Sequence, residues 1–191
     1  MKKLFLIFAV VAIVSSCNNN DTKGTATGDS TKPNNAALAD TKMAMPEMPY
    51  QLSHPYQNWQ TGDPQNAVIT MKGLQAYENG DIAGCLAAFG DSAWLGFDYY
   101  QKTMSKDSLK AFFTGGRAMY SSIKVKMQDW ESVISADKKA EWVTLWYKEY
   151  TTDKKGVVDS LAVVNDAKIE KGKIVVLNET TQHLGPPPAK K

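Results

Sequence analysis

The chain has 191 residues, enough for one domain with a sizeable core plus appendages. Hydrophobic content of 43% and charged content of 22% are an ordinary globular balance. There are 22 basic and 20 acidic residues, and without Lys2 and Lys3 the balance is zero, so charge makes no case for a nucleic-acid partner.

Met1-Lys2-Lys3 is a short basic start, Leu4 to Val14 is an unbroken apolar run, and Ser15-Ser16-Cys17 follows. The run is too short to span a bilayer as a permanent helix, and the pattern predicts a secretory signal over 1–16. Val14-Ser15-Ser16-Cys17 resembles the lipobox of bacterial lipoproteins, although that family prefers Leu where Val14 stands. The resemblance implies cleavage before Cys17 and lipid on Cys17, which would tether the protein to a membrane. An ordinary cleaved signal with a chance cysteine is the alternative. In such lipoproteins an Asp after the cysteine favours the inner membrane; Asn18 is not that signal, which implies the outer membrane, facing the periplasm. From Asn18 to Asn35 there is no large apolar residue to offset the entropy of ordering, so 17–58 reads as a flexible tether. Met43-Ala-Met-Pro-Glu-Met48 could offer thioether sulfur to monovalent copper. The plainer reading is linker, with Met48 and Tyr50 packing on the domain; no cofactor or metal is expected.

Asp63-Pro64 starts a helix, carboxylate cap then proline, and Ala67, Met71, Leu74 and Tyr77 recur at helical spacing up to Gly80. Asp81 caps a second, shorter helix, whose stripe of Ile82, Cys85, Leu86 and Phe89 faces a core. Cys85 reads as a small buried hydrophobe. Ala93 to Phe97 is a strand, with Asp98 and Tyr99-Tyr100 at its end or in the turn that follows. Ser105 caps a third helix with Leu109, Phe112, Phe113 and Tyr120 on its buried side. Gly115-Gly116 within it implies close backbone contact or an early end. Four strands follow, 123–135, 140–152, 157–170 and 173–183, joined by short polar turns, which predicts an antiparallel meander. The second of these has apolar residues on both faces: Trp142, Thr144, Trp146, Lys148 and Tyr150 on one, Val143, Leu145 and Tyr147 on the other. It therefore belongs mid-sheet. Residues 185–191, Gly-Pro-Pro-Pro-Ala-Lys-Lys, cannot join a ladder and form an exposed tail.

This order of elements, with Glu78-Asn-Gly-Asp-Ile-Ala-Gly-Cys-Leu-Ala-Ala-Phe89, the strand Ala93 to Phe97 and the hairpin Lys168-Ile-Glu-Lys-Gly-Lys-Ile174, resembles the nuclear transport factor 2-like superfamily, including SnoaL-like proteins. The resemblance implies an α+β domain over 59–184: a cone-shaped, curved antiparallel sheet of the cystatin-like kind, with helices on its concave face and a pocket between. Some members are isomerases, cyclases, dehydratases or hydrolases, and many only bind ligands or partners. Steroid isomerases of this group use a tyrosine and two acids at places that hold Gly73, Phe97 and Val164 here. The same register puts Leu177, Glu179, Thr181 and His183 on the concave side, with Asp166 facing the same way as Val164. Asp166, Glu179 and His183 are therefore the candidates for acid–base chemistry. Tyr77, Phe97, Phe113, Trp142, Trp146 and Leu177 are the candidate lining for a small hydrophobic ligand or a peptide. Binding module and SnoaL-like enzyme both stay open, and a homodimer through the convex sheet face is compatible with either. Phosphate loops, paired CxxC motifs, HExxH and GxSxG are absent.

Overall fold

A computed structural model describes residues 47–98 and 100–185. The signal, Cys17, most of the tether, residues 43–46 of the methionine run and the end of the tail lie outside these residues. Met48 and Tyr50, expected to pack on the domain, are exposed instead.

The compact unit that begins at Tyr50 contains β1 (Gln60–Thr61), α1 (Pro64–Glu78), α2 (Ile82–Ala87), β2 (Phe89–Phe97), β3 (Tyr100–Ser105), α3 (Lys106–Ala118), β4 (Tyr120–Ile134), β5 (Glu141–Asp153), β6 (Val158–Glu170) and β7 (Lys173–His183). Local chemistry sets these boundaries. The Asp63 carboxylate accepts the Gln65 N–H at 2.8 Å to open α1, Asp81 accepts the Gly84 N–H at 2.8 Å to open α2, and Ser105 caps α3. Lys171 and Gly172, at φ 51° and 69°, join β6 to β7 in a two-residue turn whose handedness suits the strand twist.

All strands lie in one sheet of order β1-β4-β5-β6-β7-β2-β3. The meander β4 to β7 is antiparallel, as the turns imply. Two features were not expected. Tyr100–Ser105 is an edge strand hairpinned to β2 rather than a turn. Its Gln101, Lys102 and Thr103 are exposed and only Met104 is buried, so it carries no alternating signal. β2 itself begins at Phe89, and it runs parallel to β7.

The three helices cover one face of the sheet. Val143, Leu145 and Tyr147 of β5 point into the core there, with at most 1% of their surface accessible, against Leu109 and Phe113 of α3 and Leu86 of α2. Gly73 lets α1 press on α2: a Cβ at that position would lie 2.8 Å from the Ala88 Cβ. The Lys106 Nζ donates to the carbonyls of Leu86 at 2.6 Å and Phe89 at 2.7 Å, which pins the start of α3 to the junction of α2 and β2.

Trp142 and Trp146 take the opposite face of β5, alternating with the buried set, and are half-buried on the outside of the sheet. Asp166 shares that outer face, directly across from Thr144, whose Oγ1 donates to it at 2.6 Å. Both placements correct the sequence expectation. For the tryptophans, period two separates two apolar faces without saying which one the helices cover. For Asp166 the cause is a bulge. At the turn, Glu170 pairs with Lys173 and Ile169 with Ile174, a ladder that continued evenly would set Asp166 opposite Leu177 and Val164 opposite Glu179. The register shifts between Lys168 and Ile169, so Ala167 faces Leu177 and Asn165 faces Glu179.

Candidate functional site

Between the helices and the covered face of the sheet lies a cavity of about 270 Å³. An apolar cavity of about 150 Å³ suffices for benzene, so this one has room for a substituted ring. Its walls are aromatic. Phe97 of β2 stacks on Phe112 of α3 with ring centres 5.7 Å apart and planes 7° apart, and Tyr100 stacks on the same ring at 5.5 Å. Tyr77 of α1 meets Phe113 edge-on at 5.7 Å. Gly116 gives Tyr77 its room: a Cβ there would stand 3.0 Å from the Tyr77 hydroxyl.

The polar lining comes chiefly from three adjacent strands: Glu149 on β5, Asn165 on β6 and Glu179 on β7. The Asn165 Nδ2 donates to the Tyr147 hydroxyl at 3.1 Å, and its Oδ1 has no partner. Burial, then the charges of Glu149 and Asp98, push the Glu179 carboxyl up to about 7, and hydrogen bonding with Tyr147 and Asn165 draws it partly back. Burial and the nearby Glu78 raise Glu149 as well. Burial, with Asp81 adding to it, pushes the Cys85 thiol at the cavity wall up to about 12, so it is an unreactive wall group.

The structure brings Tyr77, Phe97, Phe113, Leu177 and Glu179 together around the cavity. It does not bring Trp142, Trp146 or Asp166 there, since they lie on the outer face. His183 is also outside the lining: it is exposed at the end of β7, with Nδ1 3.0 Å from Asp159 Oδ2. Of the three places compared with the steroid isomerases, Gly73 and Phe97 line the cavity and Asn165, not Val164, does so on β6. Sequence reasoning missed Glu149, Asn165 and Phe112 as site residues. Glu149 has the parity of Val143, Leu145 and Tyr147, which was the available signal. For β6 the signal was Asp166 and Lys168, two charged residues of one parity, which mark the solvent side. Among the described residues, no group of three or more His, Cys, Asp or Glu could hold a metal, and no helix is long and apolar enough to cross a membrane.

No family model and no curated protein matches the chain. Solved structures do. An NTF2-like protein of unknown function from Burkholderia pseudomallei aligns with a TM-score of 0.52 at 15% identity, over 62% of this chain and 91% of its own. AusH from Aspergillus nidulans gives 0.52 at 15% identity over 64% and 87%. The Δ5-3-ketosteroid isomerase from a Mycobacterium species gives 0.51 at 15% identity over 62% and 98%. The chain is thus an α+β protein with the nuclear transport factor 2-like fold. At such identities the likeness is one of fold.

Proposed function

We propose that the chain is a tethered binding module that holds a small, largely apolar molecule in this cavity. The observation that carries the reading is the aromatic enclosure of about 270 Å³ with its polar groups gathered on three neighbouring strands. Membrane attachment through Cys17 belongs to the same proposal and is supported by the apolar run that ends in Ser15-Ser16-Cys17. The test is calorimetric titration of the full chain with small neutral aromatic molecules such as 2-phenylethanol. Saturable one-to-one binding is expected, weakened about tenfold by Phe112→Ala, which removes the ring on which Phe97 and Tyr100 both stack. Absence of saturable binding by any small aromatic, neutral or charged, rejects the reading.

A second reading rests on Glu179. A carboxyl held at about 7 can both accept and deliver a proton at neutral pH. An enzyme of the isomerase, cyclase or hydrolase kind would use it as its acid or base. Turnover would then follow a pH profile with an inflection near 7 that disappears in Glu179→Gln; an unchanged profile in that variant excludes the role.

A further inference from the structure

We propose that the molecule held in this cavity is a small organic ammonium ion, an aromatic or aliphatic primary or secondary amine in its protonated form. The inference rests on the binding reading above and names the ligand class. It starts from what the cavity lacks.

Glu149 and Glu179 both line the cavity, and neither has a compensating cation. Among the described residues the ion pairs are Lys124–Glu78, Lys139–Asp137, Lys168–Glu170 and His183–Asp159, none of which involves either carboxylate. An ionised group taken from water without a partner is costly, and a protein resolves the cost by protonating the group or by pairing it.

Asn165 supplies a second and independent observation. It lies directly across from Glu179 in the sheet, with only 5% of its surface accessible, while Glu149 lies further along β5, across from Leu161. Its amide nitrogen is engaged with Tyr147, and its Oδ1 is buried without a donor. A buried acceptor left empty costs about 1–3 kcal/mol. Beyond the hydrogen bonds that Glu179 has with Tyr147 and Asn165, the cavity's uncompensated groups are therefore two carboxylates without a cation and one amide oxygen without a donor, all of them acceptors when the acids are ionised. An anion would be repelled by both carboxylates. A protonated amine brings N–H donors, no acceptor and a positive charge, which answers Glu179 and the Asn165 Oδ1 across from it, with Glu149 adding to the field.

The walls suit such a ligand too. The rings of Tyr77, Phe97, Phe112 and Phe113 line the space, and an aromatic face turned to a ligand attracts a cation as well as its hydrocarbon substituents. N–H groups are required because Asn165 Oδ1 needs a donor, so a quaternary ammonium fits less well. The remaining titratable groups do not compete for the charge: burial raises the Tyr77, Tyr120 and Tyr147 hydroxyls and the Cys85 thiol, leaving them neutral at pH 7. Asp98, the other charged neighbour of Glu179, adds to the negative field.

The full chain should be titrated calorimetrically at pH 7 with 2-phenylethylamine, with its neutral analogue 2-phenylethanol and with trimethyl(2-phenylethyl)ammonium. Two buffers of different ionisation heat report any proton exchanged. We expect the amine to bind at least tenfold more tightly than the alcohol, with proton release as Glu179 ionises, and more tightly than the quaternary ion. Glu179→Gln should remove the preference for amine over alcohol, its folding checked by urea denaturation. Asp166→Asn, an acid lost from the outer face, should keep the preference. Equal or tighter binding of the alcohol overturns the cation assignment and leaves the binding reading intact. Equal binding of the quaternary ion overturns the donor role assigned against Asn165. Binding by none of the three overturns this inference together with the reading it rests on.

Discussion

Glu179 links the cavity to the stability of the domain. Its folded pKa of about 7 lies above the ordinary 4.5, so the folded state holds the proton more tightly than the unfolded chain. The resulting stability is complete below about pH 4.5 and is lost as pH rises through about 7. The loss is on the order of 3 kcal/mol by linkage. Urea denaturation at pH 5 and at pH 8 should show the wild-type chain weaker at pH 8. In Glu179→Gln the difference should shrink to the share contributed by Glu149, whose pKa is raised in the same sense; an undiminished difference refutes the assignment. The neighbouring hydrogen bond offers a second check. Tyr147→Phe leaves the buried Asn165 Nδ2 without its acceptor and should cost about 1–3 kcal/mol in the same assay. A cost near zero would mean that Asn165 finds another partner. Much of this was legible in the sequence on β7, where counting from Gly172 placed Leu177 and Glu179 correctly. The count failed on β6 because the bulge opposite Lys168 and Ile169 leaves no mark in residue type.

At the level of elements, two glycines a few turns apart in kind predict opposite outcomes. Gly73→Ala places a methyl 2.8 Å from the Ala88 Cβ, between two backbones that cannot both yield. Overpacking of this sort costs about 1–3 kcal/mol, more than the roughly 1 kcal/mol gained in helix propensity. Ala88→Gly in the same chain should restore part of the loss, and simple additivity of the two changes in a double-mutant cycle would show that they do not touch. Gly115→Ala meets nothing within 4 Å and should raise the unfolding midpoint, by about 1 kcal/mol in free energy. The helices themselves were readable because caps and stripes are local: Asp63, Asp81 and Ser105 each occupy the predicted cap. β3 was not readable, because an edge strand with one buried residue has no alternation and Thr103 is its only β-branched residue. The outward tryptophans of β5 were misassigned for a related reason, since which face is covered depends on helices distant in sequence.

For the whole molecule, the proposed anchor makes a separate prediction. Cys17→Ser should leave the precursor uncleaved or move the protein from the membrane to the soluble fraction; normal processing with unchanged membrane fractionation rejects it. The sheet carries its own consequence. β2 is joined on one side to its near neighbour β3 and on the other to β7, the last strand of the domain, with Leu95 beside Leu177 and Phe97 beside Glu179. Such a contact closes a long loop before it gains any stability, and topologies of this kind fold slowly. Phe97 and Glu179 cannot become neighbours until synthesis has passed the final hairpin. The cavity is therefore complete only once β7 has been made, and a chain cut short before β7 would keep its helices and β4 to β6 in sequence but lack the Leu177 and Glu179 that close the cavity.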